Sequence, residues 1–363
     1  MASVSRPAAS QPAITLEVLP ACYGDCLLAT CNSRAGQFRI LVDAGPDGTW
    51  PTLRERLRKI PMENGRRHID LAIVTHIDHD HIGGARLLFE DEALGLTFGD
   101  VWFNARHHLT RGVAEGKGLA EILGAPEREL PWNVAFDGGP VKTPREGGFI
   151  EAPSSPDGPC LTILSPTPKR LSSLARVWDA ELEKLRQGKS NTDPEPSARG
   201  AVFPDLESLA AARPRRDGSA PNGSSIVILV EHQGSSVLLT GDAFSNTVGA
   251  SLLSLSKERG SVPIQVNALK LSHHGSRANF RRELLEVVQA EHYIVSTDNS
   301  RYGHPNDETL ATIILEGQHG STFWFNYATD QNLRWKDEGL QEQYEFSASY
   351  PKAGTEGITL SLG

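Results

Sequence analysis

Short apolar runs recur along the whole chain and restrict the folds that it can adopt. They are bounded by Gly, Pro, Asp and Asn, and their length and content of Val, Ile and Leu are typical of β-strands. Examples from both halves are "ITLEVL", "FRILVD", "DLAIVT", "IVILVE", "SVLLT" and "YIVST". Helical patterns lie between some of them, in "TLRERLRKI", "NFRRELLEVVQ" and "DETLATIILEG". Strands in each half with helices between them predict two packed sheets covered by helices, an α/β fold.

The segment from residue 169 to residue 222 interrupts this pattern. Five apolar side chains first recur there at helical spacing and predict an amphipathic helix: Leu171, Leu174, Trp178, Leu182 and Leu185. The stretches "GKSNTDPEPSARG" and "ARPRRDGSAPNGSS" follow and are rich in Pro, Gly, Ser and charge, which is typical of flexible loops. Because strand-like runs continue on both sides, we interpret 169–222 as an insertion, a helix plus a flexible loop, within a single domain over 12–363.

The composition narrows the functional classes. The formal net charge of −9 argues against a tight, non-specific nucleic-acid binder, because a polyanion would need a local positive site such as metal ions. The N-terminal "MASVSRPAASQPA" lacks the apolar region of a signal peptide, and no apolar run approaches the roughly 20 residues of a membrane helix. The four cysteines are interpreted as small core residues rather than as a disulfide framework or a zinc cluster. We therefore predict a cytoplasmic protein with no membrane partner.

The stretch "THIDHDHIGGA" is the strongest chemical signal in the chain. It places five ligand-type residues in six positions: His76, Asp78, His79, Asp80 and His81. It follows the apolar run "DLAIVT", so the cluster is expected on the loop that leaves the C-terminal end of a buried strand. Imidazole and carboxylate are ligands that zinc, manganese or iron accept. This density favours a metal site over a solvated charged loop, with His79 facing away from the others.

These residues carry a resemblance to a known family. "THIDHDHIGG" resembles the T-H-x-H-x-D-H-x-G-G signature of the metallo-β-lactamase fold superfamily. Three further segments fit the order of that family: "RILVDAGP" with Asp43, "SVLLTGDA" with Asp242, and "LKLSHHGS" with the last histidine. The resemblance covers most of the chain, from about Leu16 to Thr309. It implies an αββα four-layer sandwich, which here carries the insertion.

One residue of the motif departs from the usual signature and indicates a particular subgroup of the superfamily. Asp78 stands where most members of the superfamily have a second histidine. The combination of "GDCLL", "HIDHDH", "LLTGD", "SHHGS" and "YGHP" is similar to the nuclease domain of ComEC-type competence proteins and their soluble relatives. The membrane channel portion of those proteins is missing from this sequence, so their role in DNA uptake is not implied.

The resemblance implies a site for two divalent metal ions, Zn²⁺ or Mn²⁺. The implied ligands are His76 and Asp78 for one ion, Asp80, His81 and His273 for the other, and Asp242 as the bridge. The aspartate at position 78 makes the first site harder and more anionic, which makes Mn²⁺ a competitor of Zn²⁺. The superfamily usually supplies a further histidine after a mid-chain strand, but "LTILSPTP" reaches Ser165 without one. His304 or water is expected to complete the first site.

Further candidates surround these ligands. The predicted catalytic residues are Asp80, His274 and His304, and either histidine could protonate a leaving group or hold a phosphate oxygen. Four nearby side chains could bind phosphate or could be solvated surface groups: Lys270, Arg277, Arg301 and Tyr302. Asp43 is expected to hold the metal loop through hydrogen bonds to its backbone, and Asp25 to act similarly. For "VWFNARHHLT", a pocket wall and a structural cluster are equal alternatives.

The preferred function is that of a metal-dependent hydrolase, a two-metal phosphodiesterase or nuclease with a metal-bound hydroxide as the nucleophile. Its phosphodiester substrate would be a nucleic acid or a small nucleotide, and the acidic charge of the chain weakens the first of these. One alternative is hydrolysis of a lactone, ester or amide bond in a small molecule, because this fold hosts many chemistries. Another is a metal-stabilised interaction module with little turnover.

The basic loop of the insertion suggests a further partner. Four arginines lie in it: Arg199, Arg213, Arg215 and Arg216. Flexible basic loops are preferred sites of proteolytic cleavage. We hypothesise that a regulatory protease of trypsin-like specificity acts on the 190–222 loop and controls access to the metal edge. The alternative is a tolerated loop with no regulatory role.

Overall fold

The computed structural model describes residues 11–109, 118–153, 157–187, 205–213 and 215–363. Within these segments the strands form two sheets. The first sheet contains, in spatial order, β14 (Ile358–Leu362), β1 (Ile14–Val18), β2 (Leu27–Ser33), β3 (Gly36–Val42), β4 (Arg67–Ile73) and β5 (Leu96–Trp102). Strands β3, β4 and β5 are parallel, so their carboxyl ends lie at the same edge.

The second sheet is also mixed. It contains, in spatial order, β13 (Ser347–Ser349), β12 (Thr322–Phe325), β11 (Val288–Val295), β10 (Ile264–Lys270), β9 (Ser235–Leu239), β8 (Val227–His232), β7 (Cys160–Ser165) and β6 (Ile150–Glu151). Strands β9 to β13 are parallel, whereas β6 to β9 pair antiparallel. The carboxyl ends of β9, β10 and β11 therefore lie side by side.

The alternation of side chains along the strands builds the core between the sheets. β1 buries Ile14, Leu16 and Val18 at every second position, because successive side chains of a strand point to opposite faces. These residues pack in one cluster with Val230 and Val237 of the second sheet. Apolar residues on the outer faces of both sheets pack under helices. The layers are helix, sheet, sheet and helix, which confirms the predicted αββα sandwich.

The helices cover the outer faces of the sheets. They are α1 (Trp50–Arg58), α2 (His79–Ile82), α3 (Ala85–Glu90), α4 (Arg106–Leu109), α5 (Leu119–Leu123), α6 (Pro168–Arg186), α7 (Leu206–Ala210), α8 (Ala220–Gly223), α9 (Ser245–Arg259), α10 (Asp307–Glu316), α11 (Asp330–Leu333) and α12 (Glu338–Tyr344). The predicted helices in "TLRERLRKI" and "DETLATIILEG" are confirmed as α1 and α10. In the part of the chain that the structure describes, no helix is both long and apolar enough to cross a membrane.

The helix predicted in "NFRRELLEVVQ" is wrong. Only a 3₁₀ turn forms there, at Arg282–Leu284, and β11 begins at Val288. β11 pairs in parallel with β10, with Val288 opposite Ile264. The local helical pattern was overridden because β-branched residues such as Val287 and Val288 fit a buried strand between two neighbours.

The insertion begins with the predicted amphipathic helix, α6. Its residues Leu174 and Trp178 are buried in the cluster beneath the helices of the first sheet. Residues 188–204 and 214, and with them Arg199, lie outside the described residues. Part of the stretch predicted as a flexible loop instead forms α8, in which Asn222 is buried, so the loop prediction is wrong there. The boundaries of one domain with one insertion stay a prediction.

Candidate metal centre

The site lies where strands of both sheets end. The loop after β4 and the start of helix α2 carry residues 76–81, the turn after β9 carries Asp242, and the segment after β10 carries residues 273–274. The backbone N–H of Ile226 donates to Thr75 O at 3.0 Å and joins the two sheets beside this loop. Parallel strands bring their carboxyl ends to one edge, so residues far apart in the sequence meet there.

Asp242 occupies the middle of the cluster. Its Oδ1 lies 3.2 Å from Nε2 of His81, whereas its Oδ2 lies 3.8 Å from Nε2 of His76 and 3.7 Å from Nε2 of His273. The two oxygens of this carboxylate therefore face two different groups of imidazoles. A carboxylate in such a position is able to bridge two cations.

One group contains Asp80, His81 and His274. Nε2 of His274 is 3.4 Å from Oδ2 of Asp80, and Nε2 of His81 is 3.9 Å from the same oxygen. Together with Asp242, each residue offers one ligand atom, these atoms lie within 4.8 Å of one another, and all four residues are buried. Two imidazoles and two carboxylates make a donor set that suits a divalent transition metal.

The other group contains His76, Asp78 and His273. Oδ2 of Asp78 is 3.6 Å from Nε2 of His76, and His76 and His273 approach the same oxygen of Asp242. The side chain of His79 is 34% exposed, so this histidine faces away from the cluster as predicted. The second group is thus also a mixture of nitrogen and oxygen donors.

The structure places the two adjacent histidines after β10, His273 and His274, in other ligand groups than the sequence resemblance implies. The structure brings His274, rather than His273, beside Asp80 and His81. Both histidines have a left-handed backbone, with φ values of 49° and 56°. This conformation turns both rings toward the centre, which an extended chain with alternating side chains would not do.

The donor set fits metal ions. Four of its buried atoms have no hydrogen-bond partner among the described residues: His76 Nε2, His81 Nε2, His274 Nε2 and Asp242 Oδ1. The opposite ring nitrogens are engaged, since Nδ1 of His81 donates to Asp43 Oδ2 and Nδ1 of His274 donates to Ser296 O, both at 2.8 Å. Such bonds orient the ring so that Nε2 points at a cation. Buried polar atoms are rarely left without a partner, which makes a bound cation the simplest account of these four.

The carboxylates and imidazoles of the cluster shift one another's pKa values. Burial opposes ionisation of Asp242, but the imidazoles of His81 and His273 hold its pKa well below the usual range. Burial also disfavours a charge on His81, yet Asp242 and Asp43 raise its pKa well above the usual value. Burial raises the pKa of the Asp78 carboxyl. The buried carboxylates thus favour positive charge in their midst.

Asp43 holds the metal loop, as the sequence predicts. Its Oδ1 accepts a hydrogen bond from the backbone N–H of Thr75 at 2.7 Å. Its Oδ2 accepts from the Thr75 hydroxyl and from Nδ1 of His81, both at 2.8 Å. One carboxylate at the end of β3 thereby fixes the backbone that enters the loop and the orientation of one ring. The predicted positioning role is confirmed.

Asp25 and Lys270 form an ion pair beneath the centre, and both side chains are 1% exposed. Burial would raise the pKa of Asp25, but the ammonium of Lys270 and the imidazole of His274 hold it below its usual range. Oδ1 of Asp25 also lies 3.3 Å from Nδ1 of His274. Both interpretations of Lys270, as a phosphate ligand and as a solvated surface group, are therefore wrong, because the last residue of β10 points into the interior.

His304 lies beside the second group. Its ring centroid is 5.0 Å from that of His273, and its Nδ1 is a buried atom without a hydrogen-bond partner among the described residues. Burial and the imidazoles of His273 and His274 lower its pKa well below the usual value, so the ring is neutral. Ser165, where the superfamily would have its further histidine, is fully buried. The role of His304 as a ligand or a catalytic group stays a prediction.

Asn279 and Asp217 contact the centre and were not predicted. Oδ1 of Asn279 accepts from Nδ1 of His273 at 2.8 Å, and its Nδ2 donates to Asp242 O and to Asp217 Oδ2, both at 2.9 Å. Nδ2 of Asn222 donates to the same oxygen of Asp217 at 2.6 Å. Asp217 and Asn222 lie in the insertion, where a composition rich in Pro, Gly and Ser predicts only a loop. No local sequence signal identifies them, because their partners are distant in the chain.

The pair of histidines in "VWFNARHHLT" belongs to a structural cluster. The ring centroids of His107 and His108 lie 4.7 and 4.9 Å from the ring of Trp132. Asn104 donates to the carbonyl of Val141 at 2.8 Å and accepts from the N–H of the same residue at 2.9 Å. These contacts favour the structural alternative over the pocket wall.

Comparison with known proteins finds a family match in the first part of the chain. Residues 20–165 match the family described as "Metallo-beta-lactamase superfamily". This match covers less than half of the chain, includes the segment that carries His76, Asp78, Asp80 and His81, and agrees with the two-sheet fold and the buried His/Asp cluster. The family resemblance predicted from the sequence is confirmed.

A particular relative is ComE operon protein 3 of Bacillus subtilis (strain 168). The two sequences are 20% identical over an alignment of 323 positions that covers 84% of this chain and 32% of the relative. The chain thus spans about a third of the length of the curated relative that it matches.

Two solved structures are also similar to this chain. Zn²⁺-bound PqqB from Methylobacterium extorquens has 13% sequence identity and a TM-score of 0.46, covering 96% of this chain and 100% of that one. The short form of human tRNase Z has 12% identity and a TM-score of 0.43, covering 96% of this chain and 99% of that one.

Proposed function

We propose that this protein is a phosphodiesterase or nuclease that works with two divalent ions, Zn²⁺ or Mn²⁺. The observation that carries the proposal is the position of Asp242, whose two oxygens face two separate groups that each contain another aspartate. Oxygen donors on both sides suit hard cations and the hydrolysis of anionic phosphoesters. The similarity to ComE operon protein 3 agrees with the sequence resemblance to the nuclease domain of ComEC-type proteins.

The proposal assigns each ligand to one ion. The assignment is His76, Asp78 and His273 for one ion, Asp80, His81 and His274 for the other, and Asp242 for both. The chemistry that such a pair of ions supplies is activation of water and neutralisation of charge at phosphorus. The proposal assigns His274, which the sequence analysis places among the catalytic residues, to the ligands instead, because its Nε2 lies next to Asp80 and Asp242.

Residues around the ligands fix the orientation of the ligand side chains before substrate binds. Asp43 and the carbonyl of Ser296 orient the rings of His81 and His274, so no reorientation is needed when the site is loaded. His304 is the remaining candidate for proton transfer. Its neutral ring carries one proton, and its buried Nδ1 is able to bind a substrate oxygen or to pass a proton at that atom.

The experiment that tests this function compares substrates and metals. Purified protein is assayed on bis(p-nitrophenyl) phosphate, on single- and double-stranded DNA and RNA, and on a lactone, with Mn²⁺, with Zn²⁺ and with chelator. We expect phosphodiester hydrolysis that needs a metal and stops with chelator. Turnover of the lactone alone would overturn the proposal in favour of a different hydrolase. Bound metal without turnover of any substrate would indicate an interaction module.

A further inference from the structure

The N-terminal end of helix α9 opens on a cavity of about 740 Å³, to which it contributes Phe244, Ser245 and Asn246. Phe244 precedes the first turn, and its side chain does not cap the helix. The backbone N–H of Asn246 has no acceptor among the described residues. Because α9 is 15 residues long, its free N–H groups and its dipole give this end a partial positive charge.

A second positive group, the guanidinium of Arg170, lies against the same turn. Its Nε and Nη2 donate to the hydroxyl of Thr247 at 3.2 and 3.1 Å, and its central carbon lies 4.5 Å from the ring centroid of Phe244. A Cβ added at Gly223 would lie 3.4 Å from Cδ of Arg170, so helix α8 packs on the same side chain. These contacts hold a cation at a helix end whose dipole favours an anion.

The charge of Arg170 is only partly balanced by carboxylates. Within the described residues this arginine forms no ion pair. Burial lowers its pKa, and the more distant carboxylates of Glu146 and Asp217 oppose that effect. Asp217 is already engaged, since its Oδ1 accepts from the N–H of Ser219 at 2.7 Å and its Oδ2 accepts from Asn279 at 2.9 Å. The half-buried guanidinium is therefore able to bind a further anion.

Ser245 supplies an independent indication of a ligand. This residue is only 5% exposed, and its Oγ has no hydrogen-bond partner among the described residues. It lines the same cavity as Arg170. Buried hydroxyl groups are rarely left without a partner, so an acceptor that enters from the cavity is the simplest account of this one.

The rest of the cavity wall suits an organic molecule that carries such an anion. Its other charged residues are two arginines and two glutamates, which add no net charge: Arg216, Arg281, Glu283 and Glu286. The preference for an anion therefore comes from Arg170 and the end of α9. Apolar side chains complete the wall, among them Leu253, Leu284 and Val287, and the volume is typical of sites for small ligands.

We propose that the first turn of α9, with Arg170 and Ser245, binds a phosphate group that belongs to a nucleotide or to a nucleic-acid strand. A phosphate offers enough oxygens to accept from the guanidinium, the hydroxyl and the backbone N–H of Asn246 at the same time. The site adjoins the metal centre, because Asn279 lines the cavity and also accepts from Nδ1 of His273. The inference goes beyond the proposed function, since binding here needs neither metal ions nor hydrolysis.

Isothermal titration calorimetry with inorganic phosphate tests the site, and added chelator removes any contribution from metal ions. We expect the wild type to bind phosphate, Arg170→Gln to bind it roughly tenfold more weakly or worse, and Ser245→Ala to lose roughly fivefold. Arg176→Gln is the matched control, because Arg176 is an exposed arginine of the same helix, donates to Ser172 O and does not line the cavity. Circular dichroism checks that each protein is folded in chelator.

The same titration on the metal-loaded protein gives a second measurement. There Arg170→Gln should remove one class of phosphate site and leave the class that needs metal. Equal phosphate affinities of Arg170→Gln and Arg176→Gln, or wild-type binding that disappears with chelator, would overturn the inference. None of these readouts requires turnover, so the proposed function is judged separately.

Two further probes identify the source of the phosphate. They are AMP, titrated by calorimetry, and a fluorescein-labelled single-stranded oligodeoxythymidylate, followed by fluorescence anisotropy. Loss of AMP affinity alone in Arg170→Gln would indicate a site for a free nucleotide. A parallel loss of oligonucleotide affinity would indicate a strand phosphate. Either result would support the phosphate site, whereas unchanged affinity for phosphate, AMP and oligonucleotide would refute it.

Discussion

The ammonium of Lys270 and the carboxylate of Asp25 form an ion pair in the interior, where each side chain is 1% exposed. Removing charged groups from water is costly, so neither residue is tolerated there without the other. Asp25 also lies 3.3 Å from the ring of His274, whose other nitrogen belongs to the metal cluster. The stability of the fold and the geometry of the metal centre therefore depend on the same buried pair.

Lys270→Met is expected to lower the free energy of unfolding by about 3–5 kcal/mol, because it leaves the Asp25 carboxylate buried without its partner. The double variant with Asp25→Asn should recover most of this loss. Urea unfolding monitored by circular dichroism measures both. Arg86→Gln breaks an exposed pair and should cost no more than about 1 kcal/mol. A Lys270→Met protein as stable as the wild type would show that the pair is unimportant.

Asp80→Asn is expected to abolish turnover while the fold stays intact. An amide neither carries charge nor binds a hard cation well. Mutating a residue that only supports a ligand can lower activity by roughly 100-fold, so losing the ligand itself should lower activity at least as much. The measurements are kcat, metal content and the thermal unfolding midpoint. Asp47→Asn is the control, because this carboxylate lies near the same loop but is 69% exposed. Near-normal activity of Asp80→Asn on every substrate would rule out hydrolysis at this site.

Asn279→Ala is expected to weaken metal binding by roughly 10- to 100-fold, since it removes the acceptor that orients His273. Competition with a chromophoric chelator measures the affinity without any assay of activity. Asn246→Ala, an exposed asparagine on α9, serves as the control. Equal affinities of the two variants would mean that His273 needs no orientation by Asn279.

His108 should make stability depend on pH. Burial, with a smaller contribution from His107, lowers its pKa from 6.5 to about 4 in the folded protein. Between these pH values His108 is protonated in the unfolded chain but stays neutral in the folded protein. The free energy of unfolding therefore falls as the pH drops from 6.5 toward 4. His108→Gln should lose less stability than the wild type over this interval when both are unfolded in urea. Parallel curves for the two proteins would contradict the assignment.

Limited digestion with trypsin tests the hypothesis of a regulatory protease. Arg213, Arg215 and Arg216 are exposed, and exposed basic loops are cut readily. We expect cleavage after Arg215 or Arg216 to lower activity, because it releases Asp217 from the chain that precedes it, and Asp217 holds Asn279. Mass spectrometry locates the cut, and the phosphodiesterase assay follows it. Unchanged activity after cleavage would leave the insertion as a tolerated loop.

Much of the site could be predicted because its signals are local. Asp43 and Asp242 closely follow the apolar strands β3 and β9, and Asp80 and His81 lie in the loop and short helix α2 that follow β4, so each is expected near a strand end. The periodicities of α1 and α6 likewise depend only on neighbouring residues and the burial of one face. The sequence alone therefore determined two packed sheets covered by helices, which the family resemblance narrows to the four-layer sandwich, and it determined the edge that carries the cluster and the residue types gathered there.

Tertiary structure alone decided which partner each residue has. His273 and His274 carry the same side chain, and only their left-handed backbone between two packed strands separates them into different groups. Lys270 can be buried because the fold brings Asp25, which is far away in the chain, into an ion pair with its ammonium. Asn279 contacts the centre through a segment whose helical pattern was overridden by strand pairing next to it. Such pairings depend on distances between segments that no local pattern encodes, and packing of the two sheets sets those distances.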